Sequence, residues 1–313
     1  MTAGQMHRLH PAAGRNRSGR GILLMLAACI GFTINSAATK LLTGQIAPAA
    51  VLLYQYAVIL VIMLGVGLRR RGRDLFRIGS WKMQALRAAT FVANMFFFIL
   101  GLSYLPFSTA AMLSFVNPIF VTLMAPFLLG ESVGWRRWAA VLSGLAGVVI
   151  IARPWSADAT LFLLLPLASA FCGALRDIIT RWMTRDETSE SMLLYSSVAL
   201  VVAGGIATGG ALPALDGRSA ILLLLVAGGQ LAGLYCVIES VRSAEASVVS
   251  PFKYSNLIWI VLADLIVWGS FPPPHVIAGS VLIVASMLYI YLREIRLSRA
   301  SETSGHGRPT GAR

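Results

Sequence analysis

Apolar stretches of about bilayer length follow one another along almost the whole chain, with little between them. They fall at roughly 21–42, 47–68, 84–105, 108–130, 138–153, 159–180, 191–212, 219–239, 246–268 and 276–292. A helix needs about 20 mostly apolar residues to cross a bilayer. Ten such helices use most of a 313-residue chain and leave loops and tails, too little for a separate soluble domain. Charged residues make up 12%, about half the share that wets a soluble surface. At 57% hydrophobic residues the chain is also far from a disordered composition. The expected fold class is therefore an all-α polytopic membrane protein with ten transmembrane helices. The first segment is too long for a cleaved signal, and another span follows it at once.

The formal net charge of +13 would suggest nucleic acid in a soluble protein. Here the basic residues follow topology. With the N-terminus in the cytoplasm, 20 of the 26 Lys and Arg fall on the inner side, and only Arg153 and Arg218 fall on the outer. That asymmetry is the positive-inside signal. It predicts an even number of spans with both termini cytoplasmic, no nucleic-acid partner and the lipid bilayer as the main neighbour. Lys40, Arg87, Arg176 and Lys253 remain within spans.

A shift of 139 residues lays the second half on the first. Asn117 falls on Asn256 and Gly130 on Gly269, and apolar segments and breaks coincide. Five spans per half is an odd number, so the second half enters the membrane from the opposite side. This predicts two inverted five-helix repeats, 21–153 and 159–292, between polar tails at 1–20 and 293–313. Inverted repeats are common in secondary transporters. Small residues on the fifth span (Ala140, Gly144, Ala146, Gly147) and on the tenth (Ala278, Gly279, Ala285, Ser286) read as close-packing faces.

Polar groups at bilayer depth face a cavity or a partner, because lipid penalises them. Each is a candidate with a structural alternative. Asn35, Ser36 and Thr39 form one patch of the first span. Asn94, Ser114, Asn117, Gln230 and Tyr235 extend the candidate lining. The amide of Asn117 could instead satisfy the carbonyl freed by Pro118. Lys253 reads as a cavity group or a snorkelled boundary lysine, with Glu239 as a possible partner. Eleven residues on, Asp264 shares a helix face with it, flanked by Tyr254 and Asn256. Glu239 and Asp264 are the candidate proton carriers. Arg176 and Asp177 read as a boundary ion pair or an inner gate. Gln55, Tyr54 and Tyr56 could equally be packing, and Lys40 and Arg87 are expected at helix ends. Glu131 is expected to cap a helix or to pair with Arg136 and Arg137.

Cys29, Cys172 and Cys236 lack metal spacing, and the glycine-rich stretches lack the Lys-Ser/Thr of a phosphate loop. No catalytic constellation, metal site or cofactor is expected, and the chain is not expected to be an enzyme.

Trp81–Pro154, with Tyr104-Leu105-Pro106, Pro118 and Leu129-Gly130-Glu131 before Arg136-Arg137-Trp138, resembles the EamA family of the drug/metabolite transporter superfamily. Pro251-Phe252-Lys253-Tyr254, Trp259 and a last helix near Gly279 extend the resemblance to about residues 20–295. It implies a central cavity built mainly from spans one, three, four, six, eight and nine. Ser36 stands where relatives often carry Asp, and Gln55 where they often carry Arg. The function implied is secondary transport of a small polar metabolite across the inner membrane by alternating access, with protons as a candidate coupled partner. Export of an amino-acid derivative or an amino-acid-built metallophore is favoured. The alternatives are import of a heterocyclic nutrient such as riboflavin, stacked on the tyrosines and Trp259, and translocation of a lipid or headgroup.

Overall fold

The computed structural model describes residues 11–128, 130, 134–153, 155, 160–183, 188–210, 212–243 and 246–305. Glu131 lies outside the described residues. Within them the chain is all helical: α1 (Pro11–Thr43), α2 (Pro48–Arg71), α3 (Trp81–Tyr104), α4 (Phe107–Ser114), α5 (Asn117–Leu128), α6 (Trp135–Ala152), α7 (Leu164–Met183), α8 (Ser189–Ala207), α9 (Gly217–Ser243), α10 (Ala246–Val249), α11 (Asn256–Trp268) and α12 (Pro274–Gly305). Seven segments are long and apolar enough to cross a membrane, with α4 and α5 counting as one, Phe107–Leu128. Trp138–Ala152 and Ser191–Ala207 are shorter apolar helices. The chain is thus a multi-pass membrane protein.

Two expected spans are broken, each beside a proline. Pro118 has no N–H to give the Ser114 carbonyl. The chain tightens ahead of it, with Phe115 N–H bonding Met112 O at 3.1 Å and Val116 N–H bonding Leu113 O at 3.2 Å, and α5 starts afresh at Asn117. Around Pro251 the chain runs as a 3-10 turn, Ser250–Ser255, before α11 begins. A 3-10 turn advances about 120° per residue rather than 100°. The face expected to carry both Lys253 and Asp264 is therefore not continuous. Lys253 is exposed in the turn, whereas Asp264 is 3% exposed within α11.

The helices pack mainly as α1 on α9, α2 on α8, α3 on α7 and α6 on α12, with α11 against α1 and α4. Lipid gives no hydrophobic drive between helices, so backbones approach where side chains are smallest. A Cβ on Gly147 would lie 2.6 Å from the Gly279 carbonyl, and one on Gly279 would lie 2.5 Å from that of Gly147. The same holds for α1 and α9 at Gly31 and Gly229. Of the small residues read as packing faces on α6 and α12, Gly147 meets Gly279 and Gly144 meets Ser286, whereas Ala146, Ala278 and Ala285 are exposed. At the Thr43 end, Ser219 Oγ donates to Gln45 Oε1 at 2.6 Å and ties the start of α9 to the α1–α2 loop. Hydrogen bonds from Ser219 hold the Asp216 carboxyl below its usual pKa there.

Candidate functional site

Positions 32, 35, 36 and 39 of α1 recur at helical spacing and give one inward face: Phe32, Asn35, Ser36 and Thr39. Gln55 and Tyr56 of α2, Arg87, Phe91, Met95, Phe98 and Ile99 of α3, and Arg176, Asp177 and Thr180 of α7 complete most of a cavity of about 400 Å³. Leu193 of α8 and Gln230 and Leu234 of α9 close it. Ser36 and Phe98 also line a recess of about 200 Å³ with Thr33, Ala111, Ser114, Phe115, Asn256 and Ile260. Asp177 also lines a further space of about 400 Å³ with Asn117, Tyr254 and Tyr291. The three spaces adjoin through these shared residues.

The expected residues divide accordingly. Asn35, Ser36, Gln230, Arg176 and Asp177 line the main cavity, Ser114 and Asn256 line the recess, and Asn117 and Tyr254 line the third space. Asn94 does not line any of the three. It is buried and donates to Ser169 O at 2.7 Å and Ser169 Oγ at 3.0 Å, joining α3 to α7. Tyr235 is 64% exposed on the outside of α9, and Lys253 is exposed. Asp264, the partly buried Glu239 and Trp259 also lie outside the three linings.

Several linings have a second job. Asn35 Nδ2 donates to Val226 O at 2.7 Å, and Thr33 Oγ1 to Asn256 Oδ1 at 2.9 Å, so α1 is pinned to α9 and α11. On α7, a Cβ at Gly173 would lie 2.6 Å from Asn117 Nδ2 and 3.0 Å from Asn94 Nδ2, so glycine admits both amides. With the Asn117 amide turned to satisfy both of its ends, it donates to Asp177 Oδ2 at 3.3 Å and accepts from Ala174 N–H at 3.1 Å. In that orientation it joins α5 to α7.

Charge in the main cavity comes from Arg87, Arg176 and Asp177. Arg87 is buried, not at a helix end. Its Nε donates to Thr180 Oγ1 at 2.8 Å, and its Nη1 to Met192 O at 2.9 Å and Ser196 Oγ at 2.6 Å, so it ties α3 to α7 and α8. Arg176 donates from Nε and Nη2 to Asp177 Oδ1 at 3.0 and 2.7 Å, with its guanidinium 5.2 Å from the centre of the Phe91 ring. Gln55 and Tyr56, both 4% exposed, were not separable from packing residues by sequence. Their pairing with Ser36 in one cavity is a tertiary fact. The hydroxyls, amides, aromatic rings and one ion pair suit binding of a small polar molecule.

A multi-pass helical bundle around a polar cavity fits a membrane transport protein. Residues 19–153 match the EamA-like transporter family. A riboflavin transporter of Vibrio cholerae is 29% identical over 90% of this chain and 95% of its own length. An S-adenosylmethionine uptake transporter of Rickettsia bellii is 28% identical over 71% and 77%. A pseudopaline exporter of Pseudomonas aeruginosa is 23% identical over 86% and 94%. A solved crystal structure superposes with a TM-score of 0.59 at 18% identity, covering 87% of this chain and 98% of that one, and so shares the fold. The relatives are transporters, not enzymes.

Proposed function

We propose that the chain carries a small metabolite with an amino-acid-type zwitterionic end across the bacterial inner membrane. The observation that carries this reading is the Arg176–Asp177 pair, 25% and 43% exposed, on the wall of the main cavity. A zwitterion offers a carboxylate to Arg176 and an ammonium to Asp177, exchanging one internal ion pair for two charge-assisted contacts. The rest of the molecule meets Phe91, Phe98, Tyr56 and the amides of Asn35 and Gln230.

Transport proceeds by rocking of two inverted five-helix halves, ten spans in all, with both termini cytoplasmic. The packing pattern supports this. Exchanging each span of one half for its counterpart in the other turns the α1–α9 pair into α7–α3, and returns α2–α8 and α6–α12 to themselves. The basic inner loops support the orientation. Net direction in such a carrier follows the gradient of the substrate or of a coupled proton. Export of an amino-acid derivative or an amino-acid-built metallophore is the first reading, in keeping with the pseudopaline exporter among the relatives.

A second reading is import of a planar heterocycle such as riboflavin. The rings of Phe32, Tyr56, Phe91 and Phe98 around one cavity favour it, as does the Vibrio cholerae relative. Counterflow in proteoliposomes separates the two. Labelled α-amino acids and S-adenosylmethionine exchange under the first reading. Riboflavin exchanges, and the zwitterions do not, under the second.

A further inference from the structure

Beyond the recess, at the Thr43 end of the bundle, lies a cluster that no binding role uses. Ser36, Ala111 and Ile260 line the recess. One turn further out on the same three helices stand Lys40, Ser108 and Asp264, about 5.4 Å from the recess wall at one turn of rise. Asp264 is 3% exposed, and its Oδ2 accepts the Ser108 N–H at 3.2 Å, at the start of α4. A carboxylate is favoured there by the helix dipole. Lys40 Nζ donates to the carbonyls of Leu102 at 2.8 Å and Leu105 at 2.5 Å, at the end of α3, where a cation is favoured. The Asp264 carboxylate acts on the Lys40 ammonium electrostatically. Lys40 Nζ also sits 5.9 Å from the centre of the Trp268 ring, which stacks on Phe107 at 5.3 Å.

The contacts of Asp264 and Trp268 join α11 to α1 or α4, that is, a helix from one end of the chain to helices from the other, while Lys40 also holds the end of α3. When α11 leaves, the Asp264 carboxylate gives up the Ser108 N–H, a loss that is costly at low dielectric. Among the described residues, Leu102, Leu105 and Phe107 are at most 4% exposed and fill the space around the charges.

We propose that Lys40 and Asp264 are the gating residues that seal this mouth of the cavity, and that substrate passes here only when α11 swings away from α1 and α4. This rests on the alternating-access reading above and adds the contact that must break. The seal has a designed reversibility. Lys40 keeps its two carbonyl bonds on α3 when α11 leaves, and Asp264 is the group exposed.

The test is sided access to the recess. A chain with Cys29, Cys172 and Cys236 replaced carries Ser114→Cys as a reporter, and a membrane-impermeant thiol reagent is applied to vesicles of each orientation. Lys40→Gln and Asp264→Asn should each raise labelling from one side by roughly tenfold or more and leave the other side unchanged. Lys40→Arg, which keeps the charge, should stay closer to the parent. If Asp264→Asn does not reach the membrane, Lys40→Gln and Trp268→Leu carry the test from the other partners of the seal. Unchanged labelling in the variants that insert overturns the proposal. Labelling requires no substrate, so faster labelling without counterflow of any zwitterion keeps the seal and rejects the substrate reading. Unchanged labelling with intact counterflow does the reverse.

Discussion

Arg176 holds the carboxylate of the very next residue, Asp177, with two hydrogen bonds of 3.0 and 2.7 Å, and both side chains face the main cavity. A half-exposed ion pair of this kind contributes little to stability, about 0–1 kcal/mol. Its value lies in being ready to exchange partners. Arg176→Gln and Asp177→Asn should each lower transport by about tenfold to a hundredfold while protein level in the membrane stays near that of the parent. The double variant should be no worse than the weaker single one, because both remove one recognition unit. Initial rates normalised to purified protein measure this.

Lys253 and Asp264 should behave differently, although helical spacing puts them on one face. Lys253→Gln should leave transport close to the parent level, since the side chain is exposed in the 3-10 turn. Asp264→Asn should impair it severalfold or more, because the buried carboxylate loses its charge beside Lys40 and the start of α4. Side-by-side uptake curves of the two variants decide it.

That contrast marks what the sequence could and could not convey. Apolar length located the long helices, and the small residues of α6 and α12 announced a close interface that Gly147 and Gly279 realise. Helical spacing also gathered Asn35, Ser36 and Thr39 onto one inward face. Periodicity failed where a proline changed the turn, so Lys253 was aligned with a residue it does not accompany. It also could not reveal Arg87, whose meaning depends on Thr180 and Ser196, about a hundred residues away in the chain. Tyr235 and Asn94 were polar for other reasons, one facing outward and the other clamping Ser169.

Ser36 and Gln55 line one cavity from α1 and α2. Ser36→Asp or Gln55→Arg alone adds a charge there without its partner. Together they should recover most of the lost stability, with a coupling of about 1–3 kcal/mol. A double-mutant cycle of thermal unfolding in detergent reads the coupling, and additive losses would show that the two side chains do not meet.

Glycine has unequal importance along the chain. Gly279→Val should destabilise the bundle by about 1–3 kcal/mol or more, because its Cβ would meet the Gly147 carbonyl and Ile151. Gly205→Ala, with open space around its Cβ, should be neutral or slightly stabilising. Thermal midpoints of the two variants, measured in the same detergent, give the comparison.

The most direct test of the central claim is counterflow of labelled α-amino acids and S-adenosylmethionine into proteoliposomes preloaded with the same unlabelled compound. The parent chain should exchange at least one zwitterion, and Arg176→Gln and Asp177→Asn should each lower that exchange by about tenfold to a hundredfold. Exchange by the parent that persists unchanged in both variants would contradict the account.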